Sequence, residues 1–166
     1  MPVCDRSGRH FEDPQDGIFD DGEWLSWAWI NHEMDRSETR QEYPGVEPEV
    51  SFLFRDLVDL AREYRDQTGR YLQIWGELGE LYAEVKFGVR RHKAHAQGSD
   101  GRLGNDFIEV KTISPEKTEA KVRVKLSGHF SKLLIVRITP DFAFEARFIE
   151  RAQLVADRGP FALAYW

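Results

Sequence analysis

The sequence predicts a mixed α/β fold in which helices come first and a sheet follows. Two observations predict it. Between residues 21 and 87 apolar side chains recur with the 3.6-residue period of helices, and after residue 88 they alternate with the period of two that is typical of strands. The run Leu134-Ile135-Val136 is apolar without a break, as in a strand buried on both faces. We therefore expect an α+β-like mixed sheet flanked by helices.

Three helices are expected after an irregular lead-in over residues 1–20, which is rich in Asp, Gly and Pro. The first begins at Asp21, where Asp20 and Asp21 would cap it. Its broad apolar surface is supplied by Trp24, Leu25, Trp27, Ala28, Trp29 and Ile30. A charged linker over residues 36–48 precedes the second helix, 49–67, which Thr68-Gly69 ends, and the third helix spans about 71–87 and ends at Gly88.

Five strands are expected after the third helix. Their ranges are 93–97, 106–113, 122–126, 133–138 and 144–149. A short helix over 150–156 follows, and the apolar tail 161–166 either packs on the core, which we favour, or contacts another subunit. We divide the chain into an N-terminal helical extension, residues 1–46, and a core, residues 47–166, within one compact fold.

Composition excludes several classes of protein. With 41% hydrophobic residues, the chain is expected to be globular rather than disordered. No apolar run approaches the roughly 18 residues of a membrane span, and the first ten residues lack the apolar stretch of a signal peptide. The single cysteine, Cys4, has no partner for an intramolecular disulfide, and no Cys/His cluster has zinc spacing. We therefore expect a cytoplasmic protein with no membrane partner.

Charge is distributed unevenly in a chain whose net charge is −6. Residues 1–84 carry 8 basic and 20 acidic side chains, whereas residues 85–132 carry 11 basic and 5 acidic ones. A basic segment attracts phosphates through counterion release whatever the total charge, although a solvated basic face is the plainer interpretation. Six cations of this segment are predicted to bind nucleic acid: Arg90, Arg91, Lys93, Lys121, Arg123 and Lys125.

The basic segment contains Asp100 and, nine residues later, Glu109-Val110-Lys111. Because side chains alternate along a strand, Glu109 and Lys111 share a face. Gly98, Gly101 and Gly104 suit a tight chain reversal that would return Asp100 to Glu109. Two adjacent carboxylates repel unless a cation lies between them, and oxygen ligands favour Mg²⁺ or Mn²⁺. The Val110 carbonyl would be a further ligand, and Lys111 would orient water at a phosphate.

Other assignments of these residues stay open. Asp106 competes with Asp100 for the first acidic position, but it lies on the same strand as Glu109 and points to the opposite face. His129 could assist catalysis, but a lone histidine near a loop is more often structural. The whole stretch could also be an ordinary solvated β-hairpin.

The order Asp100 … Glu109-Val110-Lys111 resembles the PD-(D/E)xK motif of the restriction-endonuclease-like superfamily. The helix Gly76-Glu77-Leu78-Gly79-Glu80-Leu81-Tyr82-Ala83 resembles the first core helix of that superfamily, and the likeness covers about residues 70–150. Ser99 stands where the motif has proline. The resemblance implies a restriction-endonuclease-like core with an N-terminal helical extension. It also implies an additional acidic metal ligand from the helix, Glu80 ahead of Glu77.

By the same resemblance we expect a Mg²⁺-dependent endonuclease that cleaves nucleic acid, DNA ahead of RNA, with a homodimer as a further expectation. The rival hypothesis is a catalytically inactive module that keeps the fold and binds nucleic acid or protein. The presence of Asp100, Glu109 and Lys111 together counts against that rival.

Overall fold

A computed structural model of the protein describes residues 3–4, 8, 10–11, 13–93 and 98–166. The chain divides into two compact units, Met1–Pro44 and Gly45–Trp166. Three α-helices and twelve strands lie in the described part, so the predicted mixed α/β class is confirmed. Over the same residues, the helices lack the combination of length and apolar character that a membrane span requires.

The first unit contains a β-hairpin where the sequence predicted the start of a helix. Strands β1 (Val3–Cys4) and β2 (His10–Phe11) pair antiparallel, and so do β3 (Gly17–Asp20) and β4 (Glu23–Ser26). Asp21 and Gly22 join β3 to β4 with φ angles of 45° and 84°. Positive φ at both central residues is the geometry of the two-residue turn that matches strand twist, and Asp-Gly favours it. The prediction of a helix from Asp21 was therefore wrong.

The first helix, α1 (Trp27–Glu42), begins six residues later than predicted. The hydroxyl of Ser26 caps it by accepting a hydrogen bond from the backbone N–H of Trp29 at 3.2 Å. The helix then continues through residues that the sequence assigned to a charged linker, 36–48. That assignment was wrong up to Glu42 because charged residues are good helix formers when one face is solvated.

Two helices open the second unit. Helix α2 (Pro48–Thr68) has proline at its first position, where the missing N–H costs nothing, and ends at Gly69 with φ 66°. Helix α3 (Trp75–Phe87) ends at Gly88. It begins four residues later than the predicted residue 71, and the Tyr71 ring ahead of it packs edge-on against Trp75, with centroids 5.7 Å apart.

Eight strands complete the second unit: β5 (Arg90–Arg91), β6 (Gly101–Leu103), β7 (Asp106–Ile113), β8 (Lys121–Lys125), β9 (Lys132–Ile138), β10 (Phe144–Glu150), β11 (Ala156–Arg158) and β12 (Phe161–Tyr165). Five form a sheet in the order β10-β9-β7-β6-β5, in which β7 and β9 are parallel and the other pairs antiparallel. A second sheet has the order β11-β12-β8 and is antiparallel.

The sequence did not predict β5, β6, β11 or β12, and one of its predicted strands has no counterpart in the described residues. Lys93 lies outside any strand, and the rest of the predicted strand 93–97 falls outside the described residues. The predicted helix over 150–156 is only a 3₁₀ turn, Arg151–Gln153, followed by β11. The apolar tail forms β12, which pairs with β8, so packing on the core is what the structure shows.

Two hydrophobic clusters lie on opposite faces of β7 and β9. One contains Ile108, Val110 and Leu134 with residues of α2 and α3, and the other contains Ile113, Leu133 and Ile135 with residues of β8 and β12. The second unit therefore has three layers: helices, the five-stranded sheet and the three-stranded sheet. The strand that carries Glu109 and Lys111 lies in the middle layer.

Candidate functional site

Three hydrogen bonds hold Asp100 in place, two of them to the middle of β7 and one to His92. Its backbone N–H donates to the carbonyl of Ile108 at 2.9 Å, and its own carbonyl accepts from the N–H of His92 at 2.9 Å. Its side-chain Oδ2 accepts from the backbone N–H of Val110 at 2.7 Å. The carboxylate thus accepts a backbone hydrogen bond of β7 just before β6 begins at Gly101. Asp100 therefore lies against Val110, the residue between Glu109 and Lys111, and its role as the first acidic ligand stays a prediction.

Glu109 and Lys111 are in contact on one face of β7. Lys111 Nζ lies 2.6 Å from Glu109 Oε1, and it also donates to the carbonyl of Val110 at 3.2 Å. The Glu109 side chain is 16% exposed and that of Lys111 34%, so the pair is partly shielded from water. The ion pair holds the Lys111 ammonium next to the Val110 carbonyl, which the sequence predicted as a metal ligand.

Helix α3 approaches β7 closely because Gly79 has no side chain. A Cβ at this position would lie 2.0 Å from Thr112 Oγ1. The close contact brings the next helical residue, Glu80, towards the hairpin. Burial raises the pKa of Glu80, and the negative charges of Asp100 and Glu77 raise it further, while Arg91 and Lys111 lower it.

Glu77, the second candidate for the helical ligand, is more exposed than Glu80. Its side chain is 72% exposed and lies 3.7 Å from Arg91. Arg91 also donates to Glu84 at 2.5 Å, so this cation connects two surface carboxylates of α3. Of the two candidates, Glu80 is the half-buried one whose charge is coupled to Asp100 and Lys111.

A cavity of about 720 Å³ opens beside the two carboxylates. Asp100 and Glu109 contribute its acidic part. The rest of the lining comes from Gly98 and Ser99, which precede Asp100, from Lys125 at the end of β8, and from the turn residues Ser127, Gly128 and His129. The sequence predicted Lys125 as a nucleic-acid ligand, and in the turn it singled out only His129, as a structural rather than a catalytic residue. The approach of the turn to Asp100 depends on how two sheets pack, which no local pattern reveals.

The donor set suits a hard divalent cation but is small. Asp100 and Glu109 offer carboxylate oxygens at the cavity, and Val110 offers a carbonyl next to them. Among the described residues, no group of three or more His, Cys, Asp or Glu side chains is arranged to hold a metal ion. Mg²⁺ keeps several waters and is commonly held by only one or two protein carboxylates, so the residues fit that ion.

Asp106 belongs to a different interaction. Its Oδ2 lies 2.9 Å from Lys132 Nζ, and its Oδ1 accepts a hydrogen bond from the Ser131 hydroxyl at 3.0 Å. The hydrogen bonds from Lys132 and Ser131 lower the pKa of Asp106. It therefore ties β7 to the start of β9.

The predicted nucleic-acid ligands are dispersed over two sheets. Arg90 and Arg91 form the edge strand β5, and Lys93 follows them with an exposed side chain. On β8, Lys121 pairs with Glu119 at 2.8 Å, and Arg123 lies over the Phe161 ring at 3.9 Å. Together with Glu119 they line a second cavity of about 480 Å³. In the described part of the chain, only Lys125 of the six lines the cavity that contains Asp100 and Glu109.

Comparisons with known proteins add no family to this description. No protein-family model matches the chain, and no curated protein is significantly similar to it. The function is therefore inferred from Glu80, Asp100, Glu109 and Lys111 themselves.

Proposed function

We propose that this protein is a divalent-metal-dependent nuclease that hydrolyses phosphodiester bonds, with DNA as the expected substrate. One observation carries the proposal: the Asp100 carboxylate is hydrogen-bonded to the backbone of β7 between Glu109 and Lys111, which share a face and contact each other. A surface hairpin needs no such arrangement. Asp100 and Glu109 line one cavity, where two carboxylates repel each other unless a cation lies between them.

The arrangement of elements supports a restriction-endonuclease-like core within the second unit. The acidic helix α3, the hairpin β6–β7, the Glu-x-Lys strand and a further strand, β9, follow each other in the order that the sequence resemblance implies. Contact between α3 and β7 at Gly79 brings Glu80 towards Asp100. We extend the proposal to membership of the PD-(D/E)xK superfamily on these grounds.

Asp100, Glu109 and the carbonyl of Val110 would hold Mg²⁺ or Mn²⁺, with Glu80 as the additional acidic group. When bound, the ion supplies positive charge at the phosphate and lowers the pKa of a water molecule. Lys111 has two roles that follow from its position. Its ammonium can donate a hydrogen bond to the attacking water, and its charge offsets the negative charge that grows on the phosphate in the transition state.

The experiment is cleavage of supercoiled plasmid and of single-stranded DNA in Mg²⁺ by wild type, Glu109→Gln and Lys111→Met. The chain offers a matched control in Glu119 and Lys121, which have the same spacing and pair at 2.8 Å. We expect Glu109→Gln and Lys111→Met to cleave at least about 100-fold more slowly than wild type. Glu119→Gln should stay within about twofold of wild type, because exposed pairs contribute little, and Lys121→Met should lose far less activity than Lys111→Met.

Two outcomes would contradict the proposal. Equal cleavage by wild type and Glu109→Gln would show that the catalytic site lies elsewhere. No cleavage of either substrate by wild type, with no Mg²⁺ bound in calorimetry, would favour the inactive binding module instead.

A further inference from the structure

The cavity beside Asp100 and Glu109 has a basic side as well as an acidic one. Two carboxylates repel the phosphates of a nucleic acid, and Lys111 is engaged by Glu109 at 2.6 Å. A second cation that faces the same space would offset this repulsion. Lys125 lines that cavity, and its side chain is exposed. Within the described part of the chain, it makes no ion pair.

The neighbouring cations of β8 differ from Lys125 in this respect. Lys121 is paired with Glu119, and Arg123 is stacked on Phe161. Because Lys121 must give up Glu119 before it can bind a phosphate, we expect it to contribute less to binding than Lys125 does. The difference gives Lys121 a use as a control, since it lies on the same strand and the same strand face.

The turn that follows Lys125 is held in place by Arg151. The guanidinium donates hydrogen bonds to three backbone carbonyls of this turn, those of Leu126, Gly128 and Phe130. It also lies over the Phe130 ring at 4.8 Å from the centroid. A planar guanidinium can serve several acceptors at fixed angles, which an ammonium cannot. Arg151 therefore stabilises the conformation of the turn.

On the other side, the turn contacts the segment that leads into Asp100. A Cβ built on Gly128 would lie 3.1 Å from the carbonyl oxygen of Gly98, and one built on Gly98 would lie 3.1 Å from the Cβ of His129. Gly98 has a φ of 107°, which L side chains rarely adopt. Glycine at both positions lets the turn lie against the hairpin, so a shift of the turn changes the cavity.

We infer that Lys125 and the turn 126–130 form a binding position for a backbone phosphate of the substrate next to the scissile one. Lys125 contacts the phosphate, and Arg151 is a positioning residue that fixes the turn and with it the end of β8. This inference rests on the proposed nuclease function, because it takes the cavity as the place where the nucleic acid binds.

The test is the affinity for a short fluorescein-labelled DNA duplex, measured by anisotropy in EDTA between about 50 and 200 mM salt. Loss of one phosphate contact lowers the magnitude of the slope of log K against log salt by about one. We expect this change for Lys125→Ala and less than half of it for Lys121→Ala. The same slope for wild type and Lys125→Ala, an equal change in both variants, or no binding by wild type would overturn the inference.

Arg151→Lys tests the positioning role, because it keeps the charge and loses the three-carbonyl geometry. We expect it to weaken binding in the wild-type background and to have no further effect in the Lys125→Ala background. Additive losses in this double-mutant cycle would overturn the positioning role, because independent sites add. A merely structural contribution would lower the melting temperature without this dependence on Lys125.

Cleavage in Mg²⁺ separates this inference from the function on which it rests. If wild type binds with the expected dependence on Lys125 but does not cleave, the nuclease proposal fails and the phosphate position stands. If wild type cleaves while Lys125→Ala keeps the wild-type salt slope, the phosphate position alone fails.

A duplex with 5′-hydroxyl ends should give the same dependence of binding on Lys125 as a duplex with 5′-phosphates. A dependence seen only with the 5′-phosphates would show that Lys125 binds a terminal phosphate and not an internal one.

Discussion

Replacing Gly79 by alanine should destabilise the protein, because a methyl group has no room between α3 and β7. The new Cβ would lie 2.0 Å from Thr112 Oγ1, 3.2 Å from its Cβ and 3.4 Å from its Cγ2. Thr112 cannot move away freely, since its backbone is paired with Val136 of β9 in the centre of the sheet. The helix or the Thr112 side chain must therefore shift.

The expected cost is the difference between two effects. Overpacking of a core contact costs about 1–3 kcal/mol. Alanine in place of glycine within a helix recovers up to about 1 kcal/mol. We therefore expect Gly79→Ala to lower the free energy of unfolding by about 0–2 kcal/mol relative to wild type and by about 1–3 kcal/mol relative to a control that gains the helix propensity without the steric conflict. Gly76→Ala is the matched control, because Gly76 lies in the same helix and a Cβ there meets nothing within 4 Å.

The assay is urea unfolding, with the midpoint and slope fitted for each variant. Gly76→Ala should be as stable as wild type or slightly more stable. Thr112→Ala removes two of the three close atoms, so the double variant Gly79→Ala/Thr112→Ala should recover most of the loss. The hydroxyl of Thr112 is buried and has no hydrogen-bond partner among the described residues, so its removal alone should cost little.

If Gly79→Ala is as stable as Gly76→Ala, the close packing of α3 on β7 is wrong. The position of Glu80 relative to Asp100 would then lose its structural basis. If the single variant is destabilised but Thr112→Ala does not rescue it, the steric conflict is elsewhere than at this threonine.

Three further predictions concern the core, the pH dependence and the metal. Leu134→Ala should lower the free energy of unfolding by about 2–5 kcal/mol in urea, because Leu134 is fully buried, whereas Leu53→Ala, at a 52% exposed position, should cost well under this. Asp106 has a lowered pKa in the folded protein, so its contribution is present above its unfolded pKa of about 3.9 and is lost as the pH falls through the folded value. The stability difference between wild type and Asp106→Asn should therefore shrink in unfolding experiments at pH 3 compared with pH 7; an unchanged difference contradicts the pairing with Lys132. Mg²⁺ should raise the melting temperature of wild type and leave that of Asp100→Asn unchanged, and an equal rise in both would remove Asp100 from the metal ligands.

Strands with strong alternation were predictable from local sequence. The predicted strand 106–113 has the bounds of β7, because Ile108 and Val110 face the helices while Phe107 and Ile113 face the other layer. The unbroken apolar run around Leu134 indicated β9 because both faces of that strand are covered. In these segments the local pattern and the final packing require the same residues.

Elements that depend on turn chemistry or distant pairing were predicted less well. The segment around Trp24 is apolar enough for a helix, and Asp21 was interpreted as a helix cap rather than as the first residue of an Asp-Gly turn. The end of the chain was interpreted as a packed tail and not as a strand. Its strand β12 could not be recognised locally, because it is defined by its pairing with β8, some 40 residues earlier. Such pairings are specified by tertiary context rather than by the segment itself.

The candidate site also contains some residues whose placement was predictable from local sequence and others whose placement depends on tertiary packing. Strand alternation was enough to place Glu109 and Lys111 on one face and Asp106 on the other. Helical spacing could not choose between Glu80 and Glu77, because the choice depends on how closely Gly79 lets α3 approach the sheet. Arg151 had no signal at all, since its three acceptors are backbone carbonyls more than 20 residues away.

The edge strand β5 has a consequence for solubility. It is two residues long and consists of Arg90 and Arg91, both exposed, at one end of the five-stranded sheet. An unpaired sheet edge can recruit a strand from another copy of the chain and start aggregation. Burying two guanidinium groups in such a contact would cost their hydration, and two residues offer few backbone hydrogen bonds in return. These arginines therefore protect the sheet from self-association, and replacing both with valine should make the protein precipitate more readily.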